Sequence, residues 1–475
     1  AMDLLDAVQV AAQPLGDAVR ITAGPKVSIT NADALRQRIG ALVESAVFGK
    51  EPHRSLARWL VRELALAAGA PPASIQGLYQ ARGRGEILDT FTVPAMNLRA
   101  LPYHAARAVF RAARKMQAKA MIFELARSEM GYTDQRPAEY VSCILGAAIA
   151  EGYQGPVFIQ GDHFQMNAKK YASKPADEVQ AVRNLIQEAI SAGFYNIDID
   201  TSTLVDLSKP TIPEQQKVNT ELCAEFTTHI RSLQPSGVVI SVGGEIGEVG
   251  GHNSTEPELR AFMEGFNQAL KARDPKAAGL SKISIQTGTS HGGVVLPDGS
   301  IAKVKVDFET LGHLSKVAKD YGMGGAVQHG ASTLPEEAFS KFTEAGALEV
   351  HLATNFQNMM YDRLPPALLQ EIYAFLTKNH SDERKEGQTD EQFYYNARKR
   401  ALGPFKQKLW QLPAAALKSI EDAWQKQFEM LFNSLAIGGT QAQVDRFVRP
   451  EPVSVPLAEY LREAGVEEDV KDLAD

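Results

Sequence analysis

The chain has 475 residues, enough for two or three domains or for one large domain with additions. Apolar residues make up 44% and charged residues 23%, the values of an ordinary globular protein, which exclude disordered, collagen-like and coiled-coil chains. The net charge of −7, without a long run of one sign, argues against a surface for nucleic acid or anionic lipid and leaves small molecules and proteins as partners.

The cysteine content and the lengths of the apolar runs bear on the cellular compartment of the protein. Cys143 and Cys223 are too few for a disulfide framework or a thiol-based zinc module. The first residues carry early acids and no secretory signal, and no later stretch reaches the roughly 18 apolar residues of a membrane span. We therefore expect a cytoplasmic protein in a reducing environment, without contact to a membrane.

Residues 1–86 are predicted to be helical. Asn31 opens one amphipathic stretch, and a second runs from Arg58 to Ala68 before the Pro71-Pro72 pair. No cluster of catalytic residue types occurs there. We interpret this region as a packing or oligomerisation element, and a homo-oligomer is expected.

From residue 87 to 365 short apolar runs alternate with amphipathic helices such as Asp177–Ala192 and Glu256–Ala272. Eight strands are predicted, at Phe91–Ala95, Ala120–Glu124, Pro156–Gln160, Phe194–Asp200, Val238–Val242, Ile283–Thr287, Gly325–Gln328 and Ala347–Leu352. A doubly wound sheet would alternate in the same way, but the turn Met96–Arg99 lacks its glycines. The pattern therefore favours an α/β fold of the (β/α)₈ TIM-barrel class.

Residues 366–475 are predicted to form a C-terminal helical extension. Ser381–Glu391 is polar and indicates a surface loop. Apolar residues then recur at helical spacing and predict core positions, at Leu409, Trp410, Leu417, Ile420, Trp424, Phe428 and Leu431.

Reactive residue types follow the predicted strands, where a TIM barrel places its active site. Four of the ten histidines fall on this rim, at His163, His291, His329 and His351. The first three suit a divalent ion, and Zn²⁺ is expected, with Mn²⁺, Co²⁺ or Ni²⁺ as alternatives. Asp200 and Glu245 are candidates for a second or displaced metal position.

Two further features of the rim bear on chemistry. Asp162 precedes a presumed ligand, so its carboxylate could move a proton on a substrate hydroxyl or could orient an imidazole. Glycines follow His291 and His329, where backbone N–H groups could approach a phosphate or could simply form turns.

The ordered motifs resemble those of the class II, metal-dependent fructose- and tagatose-bisphosphate aldolases. They span residues 87 to 362 and comprise Val93–Asn97, Gly161-Asp162-His163, Ala192-Gly193-Phe194 through Ile199–Ser202, Gly244–Gly251, His291-Gly292 and His329–Ser332. The resemblance implies retro-aldol cleavage of a ketose bisphosphate, in which the metal holds the enediolate of dihydroxyacetone phosphate.

The resemblance also implies residue roles. Asp162 would be catalytic, His163, His291 and His329 would be metal ligands, and Glu245 with Asp200 would form the alternative metal site. Substrate and phosphate contacts are expected from Asn97, Gly292, Gly330, Ser332, His351, Thr354 and Asn355.

Departures from the family pattern keep other activities open. His351 stands where the family has a substrate-binding asparagine, Ala353 and Asn355 stand where it has aspartates, and His252-Asn253 replaces an acidic pair. A metal-dependent ketose 4-epimerase, or an enzyme for an unphosphorylated or acidic sugar, is therefore an alternative to the lyase.

A Schiff-base aldolase needs an interior lysine, and Lys282 lies at the predicted N-terminal end of its strand, the face associated with stability. Residues 130–140 also resemble the companion subunit of tagatose-bisphosphate aldolase, which leaves a non-catalytic role as a further alternative.

Overall fold

The computed structural model describes residues 3–247, 251–288 and 293–462. Its first part contains α1 (Leu4–Ala11), β1 (Val19–Thr22), β2 (Lys26–Ile29), α2 (Ala32–Phe48), α3 (His53–Ala67), β3 (Pro72–Ala73) and α4 (Gln76–Gly83), with a 3₁₀ turn over Gln13–Ala18. As predicted, Asn31 begins a helix, since its side chain accepts a hydrogen bond from the N–H of Ala34.

The prediction of helix throughout residues 1–86 is wrong for two short segments. The strands β1 and β2 pair antiparallel around a turn that contains Gly24 at φ +136°, and one face of this hairpin is half-buried. The strand β3 pairs with the barrel through Pro72 and Ala73. Both segments are only two to four residues long, too short to produce a clear alternating pattern.

Eight parallel strands close into a barrel, which confirms the predicted fold class. They are β4 (Val93–Asn97), β5 (Ile122–Ala126), β6 (Val157–Gln165), β7 (Asn196–Asp200), β8 (Ser241–Glu245), β9 (Lys282–Ile285), β10 (Ala326–Gln328) and β11 (Glu349–Leu352). Each strand pairs with the next along the chain, and β11 pairs with β4 to complete the circle.

Helices connect and surround these strands. They are α5 (Pro102–Met116), α6 (Arg127–Tyr132), α7 (Pro137–Ala150), α8 (Ala168–Ser173), α9 (Pro175–Ala192), α10 (Ile212–Leu233), α11 (Glu256–Arg273), α12 (Phe308–Lys319), α13 (Glu336–Glu344) and α14 (Thr354–Tyr361), with a 3₁₀ turn at Ser202–Leu204. The start of α11 illustrates the local determinants, because Thr255 and Glu258 form a reciprocal capping box there.

The C-terminal extension consists of α15 (Pro366–Asn379), α16 (Asp390–Ala397), α17 (Lys406–Trp410), α18 (Ala414–Ser434), α19 (Gln441–Phe447) and α20 (Leu457–Arg462), with 3₁₀ turns at Ser381–Glu383 and Arg398–Ala401. Most of the predicted core positions are buried, namely Leu409, Ile420, Trp424, Phe428 and Leu431, whereas Trp410 and Leu417 are half-buried. Trp424 anchors the extension to the barrel by donating from Nε1 to the carbonyl of Phe356 at 3.0 Å. The domain boundaries at residues 86 and 365 stay predictions.

None of the helices in the described ranges combines the length and the apolar composition that a membrane crossing requires.

Candidate active site and metal centre

Three predicted ligands meet where β6, β7 and β8 end. The Nδ1 atom of His163 lies 3.0 Å from Oδ2 of Asp200 and 3.3 Å from Oε2 of Glu245. His163 adopts φ +40°, in a bulge of β6 between Gly161 and Phe164. A Cβ atom on Gly161 would lie only 2.4 Å from the Phe164 ring, so glycine is required for this close packing. Strained backbone at a bulge that re-aims a side chain is typical of functional sites.

Asp162 occupies the centre of the site and is buried. Its Oδ2 atom accepts a hydrogen bond from Nδ2 of Asn97 at 3.0 Å, and its Oδ1 atom lies 3.2 Å from Nδ1 of His351. The same Oδ1 atom is 4.0 Å from Nε2 of His163 and 4.0 Å from Nδ1 of His329. Asp162 is therefore oriented by two neighbours and lies beside two imidazoles.

His329 follows β10 directly and joins the other histidines. Its ring centroid lies 4.2 Å from that of His163 and 4.2 Å from that of His351. Its Nε2 atom is 2.8 Å from Oγ of Ser284, a buried residue of β9. This contact fixes the ring and turns Nδ1 toward Asp162.

The donor set fits a divalent cation. Ligand atoms of Asp162, His163 and His329 lie within 4.8 Å of one another, and so do those of His163, Asp200 and Glu245. Imidazole and carboxylate donors at such spacing suit Zn²⁺ and related ions. The predicted ligand His291 and the neighbouring Gly292 lie outside the described residues.

Burial and charge in the site also favour a cation. Burial, together with the nearby Asp200 carboxylate, raises the pKa of Glu245 to about 7. Burial and the Asp162 carboxylate raise the pKa of Glu124 to about 8. Burial disfavours the charge on both carboxyl groups and the nearby carboxylates add to this effect, and a bound cation would oppose both.

A charged network lies beneath the site, inside the barrel. Nζ of Lys282 lies 2.7 Å from Oε2 of Glu349 and 3.0 Å from Oδ1 of Asp198. His351 connects this network to the site, because its Nε2 atom contacts Glu349 and its Nδ1 atom lies 3.0 Å from Oε1 of Glu124. Burial opposes protonation of His351, but Glu124 and Asp162 raise the pKa of its imidazole well above the ordinary value.

Lys282 begins β9 at the N-terminal end of the barrel, as predicted, but its side chain enters the barrel interior. Burial opposes its charge, whereas Asp198 and Glu349 raise the pKa of the amine above its ordinary value. The amine therefore stays protonated, which does not suit a Schiff-base nucleophile.

The remaining predicted residues lie higher on the rim. Gly330 adopts φ +68° in the loop after β10, a conformation that favours glycine. The N–H of Asn355 donates to Oγ of Ser332 at 3.2 Å. Oγ1 of Thr354 accepts from Nη1 of Arg99 at 3.3 Å. These residues border the site without contacting Asp162 directly.

Sequence reasoning missed several residues that organise the site. Glu129 accepts a hydrogen bond from Asn97 at 2.7 Å and pairs with Nε of Arg99 at 2.5 Å, while Glu124, Asp198 and Glu349 form the acidic interior. Charged residues inside otherwise apolar strands were the available signal for the last three. Glu129 gives no such signal, because it lies on a helix, where charged residues are common.

The family of the chain agrees with this arrangement of residues. A profile described as class-II fructose-bisphosphate aldolase matches residues 88–432, more than two thirds of the chain. The chain therefore belongs to the class-II fructose-bisphosphate aldolase family, as its motifs indicate. Membership indicates an enzyme of the aldolase or epimerase type, and metal dependence is a general property of this family. Among curated proteins, none matches the sequence.

Three solved structures are similar to this chain at low sequence identity. Fructuronate-tagaturonate epimerase from Cohnella laeviribosi gives a TM-score of 0.51 at 12% identity, covering 73% of this chain and 81% of that one. A probable tagatose 6 phosphate kinase from Sinorhizobium meliloti gives a TM-score of 0.50 at 16% identity, covering 78% of this chain and 97% of that one. Fructose-bisphosphate aldolase from Campylobacter jejuni gives a TM-score of 0.45 at 17% identity, covering 76% of this chain and 93% of that one.

Proposed function

We propose that the protein catalyses reversible, metal-dependent aldol cleavage of a ketose phosphate, such as fructose or tagatose 1,6-bisphosphate. The products would be dihydroxyacetone phosphate and an aldehyde. The observation that carries this proposal is the position of Asp162, a buried carboxylate held by Asn97 and His351 and 4.0 Å from two presumed ligand atoms. An acid or base beside a Lewis-acid position is what this reaction requires.

His163 and His329 would hold the metal, with Glu245 and Asp200 near enough to act as alternative ligands. A divalent ion bound there supplies polarisation of the ketose carbonyl and stabilises negative charge that develops on its oxygen. Zn²⁺ is our first choice of ion because the donors combine imidazole and carboxylate.

Asp162 would take the proton from the C4 hydroxyl of the substrate. The O–H electron pair then forms the new C=O bond of the aldehyde, the C3–C4 bond breaks, and its electron pair passes to the ketose fragment as an enediolate. A proton from solvent is added at C3, which completes dihydroxyacetone phosphate, and Asp162 releases the proton that it took to solvent, which restores its carboxylate. Asn97 and His351 keep the two oxygens of Asp162 in fixed directions during the proton transfer.

A ketose 4-epimerase is the second candidate, and His351 favours it. This imidazole lies 3.2 Å from the proposed base and provides a second group that can donate a proton. If the aldehyde fragment rotates before the C3–C4 bond forms again, addition to its opposite face inverts C4.

One incubation separates these candidates. The full chain, loaded in parallel with Zn²⁺ or Mn²⁺, is mixed with fructose 1,6-bisphosphate, and the reaction is followed by coupled detection of triose phosphate and by NMR for the C4 epimer. Triose phosphate supports the lyase, and the epimer without free triose supports the epimerase. If neither triose phosphate nor an epimer forms with either metal ion, and unphosphorylated or acidic ketoses are not converted either, the result would favour the companion-subunit alternative.

Asp162→Asn provides the matching test of the site. We expect kcat to fall by about 10²–10⁴-fold, the usual contribution of a general acid or base. Asp274→Asn, at an exposed position after α11, is the control and should retain activity. Retained activity in Asp162→Asn would reject the assigned role.

We also propose a cytoplasmic homo-oligomer. Cys143 and Cys223 are separate buried thiols, which suits a reducing compartment. Light scattering of the purified chain tests the oligomeric state, and a monomer at micromolar concentration would contradict it.

A further inference from the structure

Glu129, in the first turn of α6, is a fully buried acidic residue beside the proposed active site. Its Oε1 atom accepts hydrogen bonds from Nδ2 of Asn97 at 2.7 Å and from the N–H of Ala126 at 2.8 Å. Its Oε2 atom accepts from Nε of Arg99 at 2.5 Å. The proposed reaction assigns no step to this carboxylate, although a buried charge is costly even when it is paired.

Asn97 joins Glu129 to Asp162 through a single amide group. The Nδ2 atom that donates to Glu129 also donates to Oδ2 of Asp162 at 3.0 Å, so both of its protons are directed at carboxylates. The two ends of an asparagine amide have nearly the same shape and opposite hydrogen-bonding character. Because a carboxylate only accepts hydrogen bonds, Glu129 requires that the NH₂ end of Asn97, and not its oxygen, faces the two acids.

Asp162 imposes this direction on Asn97 only while its own carboxyl group is ionised. Once it has taken a proton, as the proposed reaction requires, its O–H group could donate to Oδ1 of Asn97, and rotation of the amide by half a turn would become favourable. Glu129 opposes this rotation in both states, because its carboxylate would then face Oδ1. The amide therefore keeps one orientation while the proton moves, which maintains the geometry of the reacting groups.

Arg99 compensates the charge of Glu129 and holds it against another element of the rim. The side chain of Arg99 is buried, and besides its ion pair with Glu129 it donates from Nη1 to α14. The acceptors there are Oγ1 of Thr354 at 3.3 Å and Oε1 of Gln357 at 3.4 Å. The carboxylate of Glu129 is therefore fixed from two sides, by Arg99 and by the backbone of its own helix start.

We propose that Glu129 is a positioning residue for the proton transfer, which acts through Asn97 and keeps a hydrogen-bond donor directed at Oδ2 of Asp162. This inference rests on the proposed function, because that function gives Asp162 the proton that moves. His351 contacts the other oxygen, Oδ1, so Glu129 and His351 orient Asp162 from separate directions. Arg99 supplies the counter-ion that allows Glu129 to be ionised inside the protein.

A double-mutant cycle in the Zn²⁺-loaded full chain separates positioning from a general structural role. Its members are the wild type, Glu129→Gln, Asn97→Ala and the double variant, each assayed for kcat with fructose 1,6-bisphosphate. Glu129→Gln places an NH₂ group against the donors that now face a carboxylate, and should lower kcat by about 10–100-fold, the effect of a small displacement of a reacting group. In the Asn97→Ala background the same substitution should change kcat by less than about twofold, because Glu129 acts through Asn97.

Glu139→Gln is the matched control. Glu139, on α7, is also a buried acidic residue paired with cations, at 3.0 Å from Nζ of Lys406 and 3.4 Å from Nη2 of Arg58. Its substitution removes a similar ion pair and should leave kcat unchanged, because Glu139 has no contact with Asn97. Glu129→Asp keeps the charge but withdraws it by one methylene group, and should lower kcat similarly if Glu129→Gln fails to fold.

Crystal structures of the two Glu129 variants give a measurement that needs no turnover, since Nδ2 of Asn97 should lie more than about 3.5 Å from Oδ2 of Asp162 in them. Wild-type kcat in both variants, an equal loss of kcat from Glu129→Gln in the two backgrounds, or an unchanged contact between Asn97 and Asp162 would overturn the proposal. Failure of the proposed function gives a different result, in which the wild type converts no ketose although this contact depends on Glu129.

Discussion

The Nδ1 atom of His351 lies 3.2 Å from Oδ1 of Asp162, and its Nε2 atom contacts Glu349 in the barrel interior. The imidazole therefore joins the proposed catalytic carboxylate to the network of Glu349 and Lys282. An asparagine in this place, as in the aldolase pattern, could not carry a positive charge between two carboxylates. The substitution changes the electrostatics of the site as well as its shape.

His351→Asn should therefore lower kcat by about tenfold or more while leaving the bound metal in place, because proton transfer at Asp162 loses a charged neighbour. Steady-state kinetics and metal analysis of the same preparation provide the two measurements. His313→Asn, at an exposed position on α12, is the matched control. Loss of metal in His351→Asn would contradict a role confined to Asp162.

Ser284 orients His329, because its Oγ atom lies 2.8 Å from Nε2 of the imidazole, on the other side of the ring from Nδ1. Ser284→Ala removes this contact and should weaken metal affinity by roughly 10–100-fold, the usual effect of losing a partner that orients a ligand. Competition with a chromophoric chelator measures the affinity. Ser232→Ala, in an exposed part of α10, is the control, and equal affinity in both variants would reject this orientation of His329.

Strand order and the grouping of Asp162, His163 and His329 could be predicted from the sequence, since alternating strands and helices fix which ends meet. The contact between His351 and Asp162 could not, because it depends on side-chain direction across 189 residues. The contact of Trp424 with Phe356 could not be predicted either, because it depends on how the extension packs on the barrel, which local periodicity does not specify. The hairpin of β1 and β2 was too short for its pattern to be recognised.

The ion pair of Lys282 with Glu349 is predicted to matter for stability. Lys282→Met leaves Glu349 and Asp198 buried without their cation, and should lower the free energy of unfolding by about 3–5 kcal/mol. Urea denaturation measures the change. Lys319→Met removes a partly exposed partner of Asp89 and should cost no more than about 1 kcal/mol. The double variant with Glu349→Gln should recover part of the loss, and no recovery would indicate that packing rather than charge is responsible.

His104 provides a pH-dependent prediction away from the proposed site. Its buried Nδ1 atom has no hydrogen-bond partner among the described residues, and its ring packs against Trp410 with centroids 4.9 Å apart. Burial, with the nearby charge of Arg107, lowers the pKa of His104 from 6.5 to about 4. Between these values the unfolded chain binds the proton more strongly than the folded chain, so acid favours unfolding.

The free energy of unfolding should therefore fall by about 2 kcal/mol from this residue alone as the pH is lowered from 7 to 5. His104→Phe keeps a ring at this position but cannot be protonated, and should remove that part of the pH dependence. Denaturation curves at the two pH values measure it, with His313→Phe as the exposed control. If His104→Phe loses as much stability as the wild type over this range, other groups cause the acid sensitivity and His104 is not protonated on unfolding.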